Sequence, residues 1–271
     1  MTRYKKLFYR LNTTLEGCFI PFIVLGDPNI EVSLKIVDIL VSSGIDALEV
    51  GIPFSDPTAD GIVVQKANER SFSSGITISK CFDMLNKIRN KYTFLPIGIL
   101  IYANLILQQG IEQFYYYCKK IGIDSVLIAD VPIQEYEPFL QACKLNRIYP
   151  IFMCPPDAGD NFIKLISSYQ SAYIYLLSRS GVTGIQKNMD LKNKNLIKNI
   201  KKNTSIPIIQ GFGIYSSKQI KKIIENGATG VICGSVIIKI IENYKNNEIV
   251  MIQKIQETTK KLKQATSKRF K

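Results

Sequence analysis

The sequence predicts an α/β protein folded as a closed (β/α)8 barrel with an extra N-terminal helix, residues 1–271 forming a single domain. Three observations carry that reading. Short apolar, β-branched runs alternate with amphipathic stretches of about ten to fifteen residues. Eight such runs fall within about 250 residues, the number and length of a (β/α)8 barrel. The rival architecture, an open dinucleotide-binding sheet, needs a GxGxxG turn after its first strand. The nearest likeness is Gly211-Phe212-Gly213, late in the chain and without a third glycine.

Residues 2–11 form an amphipathic start, expected as a helix across the barrel bottom. Strands are predicted at 18–26, 47–53, 96–102, 125–131, 149–155, 172–178, 207–213 and 230–234. These runs are apolar at nearly every position, as in a parallel sheet covered by helices. Helices are predicted at 31–43, 77–91, 111–121, 135–146, 161–169 and 216–226. In the first of these, Val32, Leu34, Ile36, Val37 and Leu40 recur at helical spacing, and Gly44 supplies the stop. Gly227 ends the last in the same way. The basic tail after Ile252 reads as a final solvated helix fraying toward Lys271. No low-complexity linker divides this TIM barrel pattern.

Composition excludes several function classes. With 46% hydrophobic and 21% charged residues the chain is no disordered protein. No apolar run reaches the roughly 18–20 residues of a membrane helix. The run at 18–25 contains Pro21, follows Glu16 and lacks a small-residue cleavage site, so no signal peptide is expected. The cysteines (Cys18, Cys81, Cys118, Cys143, Cys154 and Cys233) are scattered without a CxxC pair. Several lie in apolar runs, which predicts free thiols in a reducing, cytoplasmic setting. There is no histidine, so imidazole acid–base chemistry and HExxH zinc sites are excluded. Proton transfer falls to a carboxylate, Tyr, Lys or Cys. The net charge of +13 raises the question of nucleic acid, but seven of the 35 basic residues are Arg, the side chain favoured for reading bases and phosphates. The final 21 residues contribute +6, and a second Lys cluster at 187–202 is mixed with Asn. Neither nucleic acid nor membrane is expected as a partner; anionic metabolites are.

In barrels of this kind the chemistry sits at the C-terminal ends of the strands. Alternation in Ala47-Leu48-Glu49-Val50-Gly51 places Glu49 opposite Leu48 and Val50. If the two apolar residues face the helices, Glu49 points into the barrel mouth, where desolvation raises its pKa and lets it act as an acid as well as a base. The plainer alternative is a Glu held by a basic neighbour on the rim. The next loop, 53–61, is longer than a minimal connection and carries Asp56 and Asp60, each equally readable as a turn former or helix cap. Glycines end the last strands: Gly211 and Gly213 in one, Gly234 before Ser235 in the next. Gly184 closes the loop 178–184. Main-chain N–H groups exposed by such turns, backed by helix N-termini, form an anion site that needs no Lys or Arg. Phe22, Leu100, Tyr102, Leu127, Ala129, Tyr175 and Phe212 could line the space between acids and anion site. That mixture suits a flat apolar ring with a phosphate tail; the same residues would otherwise be ordinary core.

With these residues assembled, the chain resembles the tryptophan synthase α-subunit family over essentially its full length. The matching stretches are LEVGIPFSDPTADG (48–61), IYANLI (101–106), LIADVP (127–132), PIFMCPP (150–156), YLLSRSGVTG (175–184), QGFGI (210–214) and CGSVIIKIIE (233–242). The resemblance implies retro-aldol cleavage of indole-3-glycerol phosphate to indole and glyceraldehyde 3-phosphate, a step of tryptophan biosynthesis, without metal or cofactor in this chain. It makes Glu49 the acid–base residue and Asp60 the acceptor of the indole N–H. Thr183 matches the residue that orients Asp60. Amides near Gly184, Gly213, Gly234 and Ser235 match the phosphate site, and Phe22, Leu100, Tyr102, Leu127, Ala129, Tyr175 and Phe212 match the indole pocket. Pro53, Asp56, Asn104 and Pro132 match a face meeting a β subunit that bears pyridoxal phosphate, in an αββα complex through which indole is passed. The segment 180–190 is expected to order on ligand binding. Thr58, Ile62-Val63-Val64, Met153 and Ser180 depart from the family pattern without removing a proposed catalytic group. On fold alone, a phosphosugar isomerase and a non-catalytic binding protein remain alternatives.

Overall fold

A computed structural model describes residues 1–178 and 189–267. Its strands are β1 (Cys18–Val24), β2 (Leu48–Gly51), β3 (Ile97–Ile101), β4 (Ser125–Ile128), β5 (Tyr149–Pro150), β6 (Phe152–Cys154), β7 (Ile174–Leu177), β8 (Ile208–Gly211) and β9 (Gly230–Cys233). They form one sheet in the order β5-β4-β3-β2-β1-β9-β8-β7-β6, parallel at each pairing. The two ends of that order, β5 and β6, are separated by Ile151, whose N–H donates to the Val126 carbonyl at 3.0 Å. One strand position is thus broken in two, its first half pairing with β4 and its second with β7, and the chain itself closes the barrel.

The eight predicted runs fill the eight barrel positions, but most overshoot. Run 47–53 shortens to Leu48–Gly51 and run 207–213 to Ile208–Gly211. The overshoot has a physical cause: chain beyond the ladder stays buried, as at Leu25 and Ile52, and keeps an apolar sequence without being strand. Run 149–155 is corrected to the broken pair β5 and β6.

Helices surround the sheet. α1 (Arg3–Thr14) is N-capped by Thr2, and α2 (Ile30–Ser42) by Asn29. They are followed by α3 (Ile62–Ser73), α4 (Ile78–Lys91), α5 (Ala103–Gln109), α6 (Ile111–Ile121), α7 (Glu137–Asn146), α8 (Asp160–Ser168), α9 (Met189–Asn203), α10 (Ser217–Glu225), α11 (Ser235–Tyr244) and α12 (Glu248–Gln264). The six helices predicted between 31 and 226 agree within two residues, and the N-terminal helix expected at 2–11 runs on to Thr14. The predicted start at 135 is corrected to Glu137, because a 3-10 turn at Ile133–Glu135 precedes α7. The expected fraying toward Lys271 lies outside the described residues from 268 onward.

Alternation along the strands sorts the core into two layers. Leu48, Val50, Ile97, Ile99, Leu176 and Val231 pack against the helices. Ile20, Phe22, Ala47, Leu127, Tyr173, Tyr175, Ile209 and Ile232 fill the barrel interior. Burying each such aliphatic side chain stabilises the fold by roughly 1.5–3 kcal/mol. α1 adds Tyr4, Leu7 and Leu11 to the interior layer from below, so the expected bottom helix is present. The six cysteines are buried and free.

At the bottom, charged groups are matched closely. The Asp46 carboxylate accepts from Arg10 (2.6 Å), from Lys263 (2.7 Å) and from the Phe19 N–H (2.8 Å). Asp124 is held by Arg3 (3.1 Å), Arg89 (2.8 Å) and the Ile97 N–H (2.9 Å). These clusters bind α1, α4 and α12 to the strand entrances.

Candidate active site

At the opposite end, the C-terminal strand ends surround a cavity of about 330 Å³ lined by Phe22, Glu49, Asp60, Gly61, Ile62, Val63, Val64, Leu100, Tyr175, Phe212, Gly213, Ile232, Gly234 and Ser235. Among these lining residues there is no Lys or Arg. Apolar walls thus meet two acids and a rim of glycine turns.

Glu49 lies in β2 between Leu48 and Val50, which face the helices, and so projects into the barrel interior. It is 2% exposed. Its Oε1 accepts from the Tyr173 hydroxyl at 3.3 Å, while Oε2 is buried without a partner. Desolvation pushes its pKa up to about 8 against the smaller opposing effect of the Tyr173 hydrogen bond. The alternative of a rim Glu paired with a basic neighbour is not what the geometry holds.

Asp60 lies just before α3. Burial pushes its pKa up to about 6, while hydrogen bonds from Tyr102 and Asn68 oppose the rise. The Tyr102 hydroxyl also accepts from the Ala59 N–H at 3.1 Å, and its ring stacks on Phe54 with centroids 4.8 Å apart. Tyr102 thus braces the Asp60 loop and is not among the residues lining the cavity. Leu127 and Ala129 are also absent from its lining; they belong to the interior layer around it.

The glycines make room as well as turns. A Cβ at Gly51 or Gly234 would come within 2.8 Å of the Phe22 ring, and one at Gly211 would overlap Tyr175. The aromatic walls stand where they do because these three positions carry no side chain. Phe212 and Gly213 both take positive φ (75° and 73°), a reversal that for Phe212 is unusual and for Gly213 costs little. Gly234 precedes α11, whose N-terminus at Ser235 faces the cavity and favours an anion there.

Of the expected site residues, Thr183 and Gly184 lie outside the described residues, as does most of the 180–190 segment. Asp56 and Pro132 are exposed in the loops after β2 and β4, and Asn104 is exposed in the first turn of α5, which follows β3, all on the cavity's side of the barrel; Pro53 is buried within the chain. Ile232 and Tyr173 were not singled out from sequence, although the alternation that found Glu49 and Tyr175 also turns them inward. Ile62, Val63 and Val64 directly follow the acidic loop, a position that could have marked them. Nothing local marks Asn68.

The profile described as “Tryptophan synthase alpha chain” matches residues 8–267. The chain belongs to the tryptophan synthase alpha chain family. Its activity is that of the family: a lyase of tryptophan biosynthesis cleaving indole-3-glycerol phosphate. The chain is 57% identical to the tryptophan synthase alpha chain of Buchnera aphidicola subsp. Baizongia pistaciae over 263 residues, covering 96% of this chain and 98% of the relative. It is 48% identical to that of Escherichia coli (strain SE11), covering 98% and 99%. Among solved structures, tryptophan synthase subunit alpha from Legionella pneumophila str. Paris superimposes with a TM-score of 0.89 at 28% identity, covering 98% of each chain.

Proposed function

We propose that Glu49 and Asp60 carry the family's cleavage in this chain, and that residues 1–271 act as one catalytic barrel. The observation that supports this best is two acids with raised pKa values facing one apolar cavity whose far rim is glycine turns and a helix N-terminus. At neutral pH a carboxyl of pKa about 8 is mostly protonated and one of about 6 mostly ionised. One cavity thus holds both an acid and an anion.

In the proposed sequence, the Glu49 carboxyl protonates C3 of the indole ring. Asp60 accepts the ring N–H and offsets the positive charge that develops there, an interaction strengthened by exclusion of water. Glu49, now a carboxylate, takes the proton of the glycerol C3′ hydroxyl. The C3–C3′ bond then breaks, its electron pair returning to the ring, to give indole and glyceraldehyde 3-phosphate. Phe22, Leu100, Tyr175 and Phe212 flank the ring; the N–H groups near Gly213, Gly234 and Ser235 hold the phosphate, with Gly184 and Thr183 assigned to the same end and to Asp60 respectively.

No step calls for a metal or cofactor in this chain. Pyridoxal phosphate is assigned to a β-subunit partner, met through the exposed Asp56, Asn104 and Pro132 with Pro53 behind them, in an αββα complex. Among the described residues no helix is long and apolar enough to cross a membrane, and we assign the chain to the cytoplasm. The test is indole release from indole-3-glycerol phosphate. Glu49→Gln keeps the shape and hydrogen bonding of the side chain but cannot donate and retake a proton. It is expected to lower kcat by about 10²–10⁴ with substrate binding retained. Wild-type turnover in this variant overturns the assignment.

A further inference from the structure

The helix that follows Asp60 is held unusually. The buried residues of α3 are Ala67, Asn68 and Ser71. Those of α2 are Val32, Ser33, Ile36, Val37 and Leu40, of which the four apolar residues form a stripe that packs that helix into the core. α3 has no such stripe; Val63 and Val64 of its first turn face the cavity. Polar ties fix its place instead. Arg70 grips Asp27 in a two-pronged pair, Nε to Oδ1 at 2.7 Å and Nη2 to Oδ2 at 2.8 Å. The Asp27 side chain is fully buried and that of Arg70 is 15% exposed. Next to this pair the Ser74 hydroxyl donates to the Gly26 carbonyl at 3.3 Å. Lys66 adds a more exposed contact to Glu242 of α11 at 3.3 Å, of the kind that contributes little.

The same helix grips Asp60 from its other end. The Gln65 side chain donates to the Asp60 carbonyl at 2.9 Å, and Asn68 bonds its carboxylate. A shift of α3 therefore carries the Asp60 carboxylate with it. We infer that Asp27 and Arg70 are positioning residues for the reaction: their fork fixes α3 against the loop after β1, and α3 in turn aims Asp60 into the cavity.

The inference rests on the catalytic reading of Asp60, so the test is a double-mutant cycle in the full-length chain, read by steady-state indole release from indole-3-glycerol phosphate. Arg70→Lys keeps the charge but loses the fork, since an ammonium cannot match both carboxylate oxygens in one plane. A displacement of about an ångström is enough to cost a large part of the rate. The expected result is a fall in kcat of about tenfold or more, with KM changed by less than about threefold. In an Asp60→Asn background the same Arg70→Lys change is expected to cost nothing further, because the group it positions has gone. If Arg70→Lys does not fold, Asp27→Asn replaces it in the same cycle, with folding checked by circular dichroism. Equal fold losses in both backgrounds show a merely structural pair and overturn the inference. Full activity of Asp60→Asn by itself overturns the assignment of Asp60, and this inference with it. The two failures are thereby told apart.

Discussion

Asp46 precedes the short strand β2 and Glu49 lies within it, and their surroundings are opposite. Asp46 has two cations and a main-chain N–H on its oxygens. Glu49 has one long hydrogen bond and a bare oxygen. The contrast extends to their neighbours: Asp124 at the bottom lies between two arginines, whereas Asp60 at the top has a tyrosine and an asparagine. A barrel that pairs Asp46 and Asp124 with cations at one end, and at the other pairs Asp27 with Arg70 but leaves Glu49 and Asp60 without a cation, has separated carboxylates that hold the fold from those placed to exchange a proton. The difference lies in what the surrounding elements bring, not in residue type.

The largest effect expected at the top is on rate, and it carries a stability effect of opposite sign. Glu49 has a folded-state pKa of about 8 against an ordinary value of 4.5. Between these values the folded chain keeps a proton that the unfolded chain has released, so stability falls as pH rises through that window and levels off above it. Glu49→Gln removes this penalty. Urea unfolding at pH 8 should show the variant more stable than wild type by on the order of a few kcal/mol, even though its rate of indole release has collapsed. A variant that loses both would mean that Glu49 holds the fold as Asp46 does, and the contrast between the two ends would fail.

Asp124→Ala tests the bottom. Removing one partner of a buried pair strands the others, here Arg89 and the Ile97 N–H, and costs about 3–5 kcal/mol of stability. The turnover number per folded molecule should stay within about twofold of wild type, because nothing at this end touches the cavity. Denaturant midpoints with kcat on the same preparations check both halves. A large fall in kcat with little loss of stability would place the bottom cluster in the chemistry.

The difference between the ends also explains what the sequence shows and what it hides. Strand alternation is local, so Glu49, Phe22 and Tyr175 are legible once β1, β2 and β7 are found. Glycine turns are local too, and Gly213 and Gly234 follow from them. The partners of Asp46 are not local: Lys263 comes from 217 residues away, and no pattern around either residue announces the other. α3 escapes detection because its buried side is Ala67, Asn68 and Ser71, with no apolar period to read. α9 escapes because its sequence, MDLKNKNLIKNIKKN, reads first as a Lys and Asn cluster. Tyr102 reads in the sequence as a pocket residue by its type and strand end; its hydroxyl partners, Ala59 and Asp60, emerge only when the loop after β2 folds over it.

Tyr102 gives the finest test of how the top end is tuned. The reaction as proposed needs Glu49 protonated and Asp60 ionised, so kcat/KM should be bell-shaped, with limbs set by values of about 6 and about 8. The Tyr102 hydroxyl favours the ionised form of Asp60 by donating to it, partly offsetting the rise that burial causes. Tyr102→Phe removes that donor and leaves the Asp60 pKa higher still. The acid limb should move toward neutral pH while the alkaline limb, which belongs to Glu49, stays in place. The consequence is a loss of about a few-fold below pH 7, roughly what one hydrogen bond to a charged group is worth once partly screened, fading as pH rises toward the second limb. An acid limb that stays put, accompanied by a rise in KM, would return Tyr102 to the pocket wall and leave the tuning of Asp60 to Asn68.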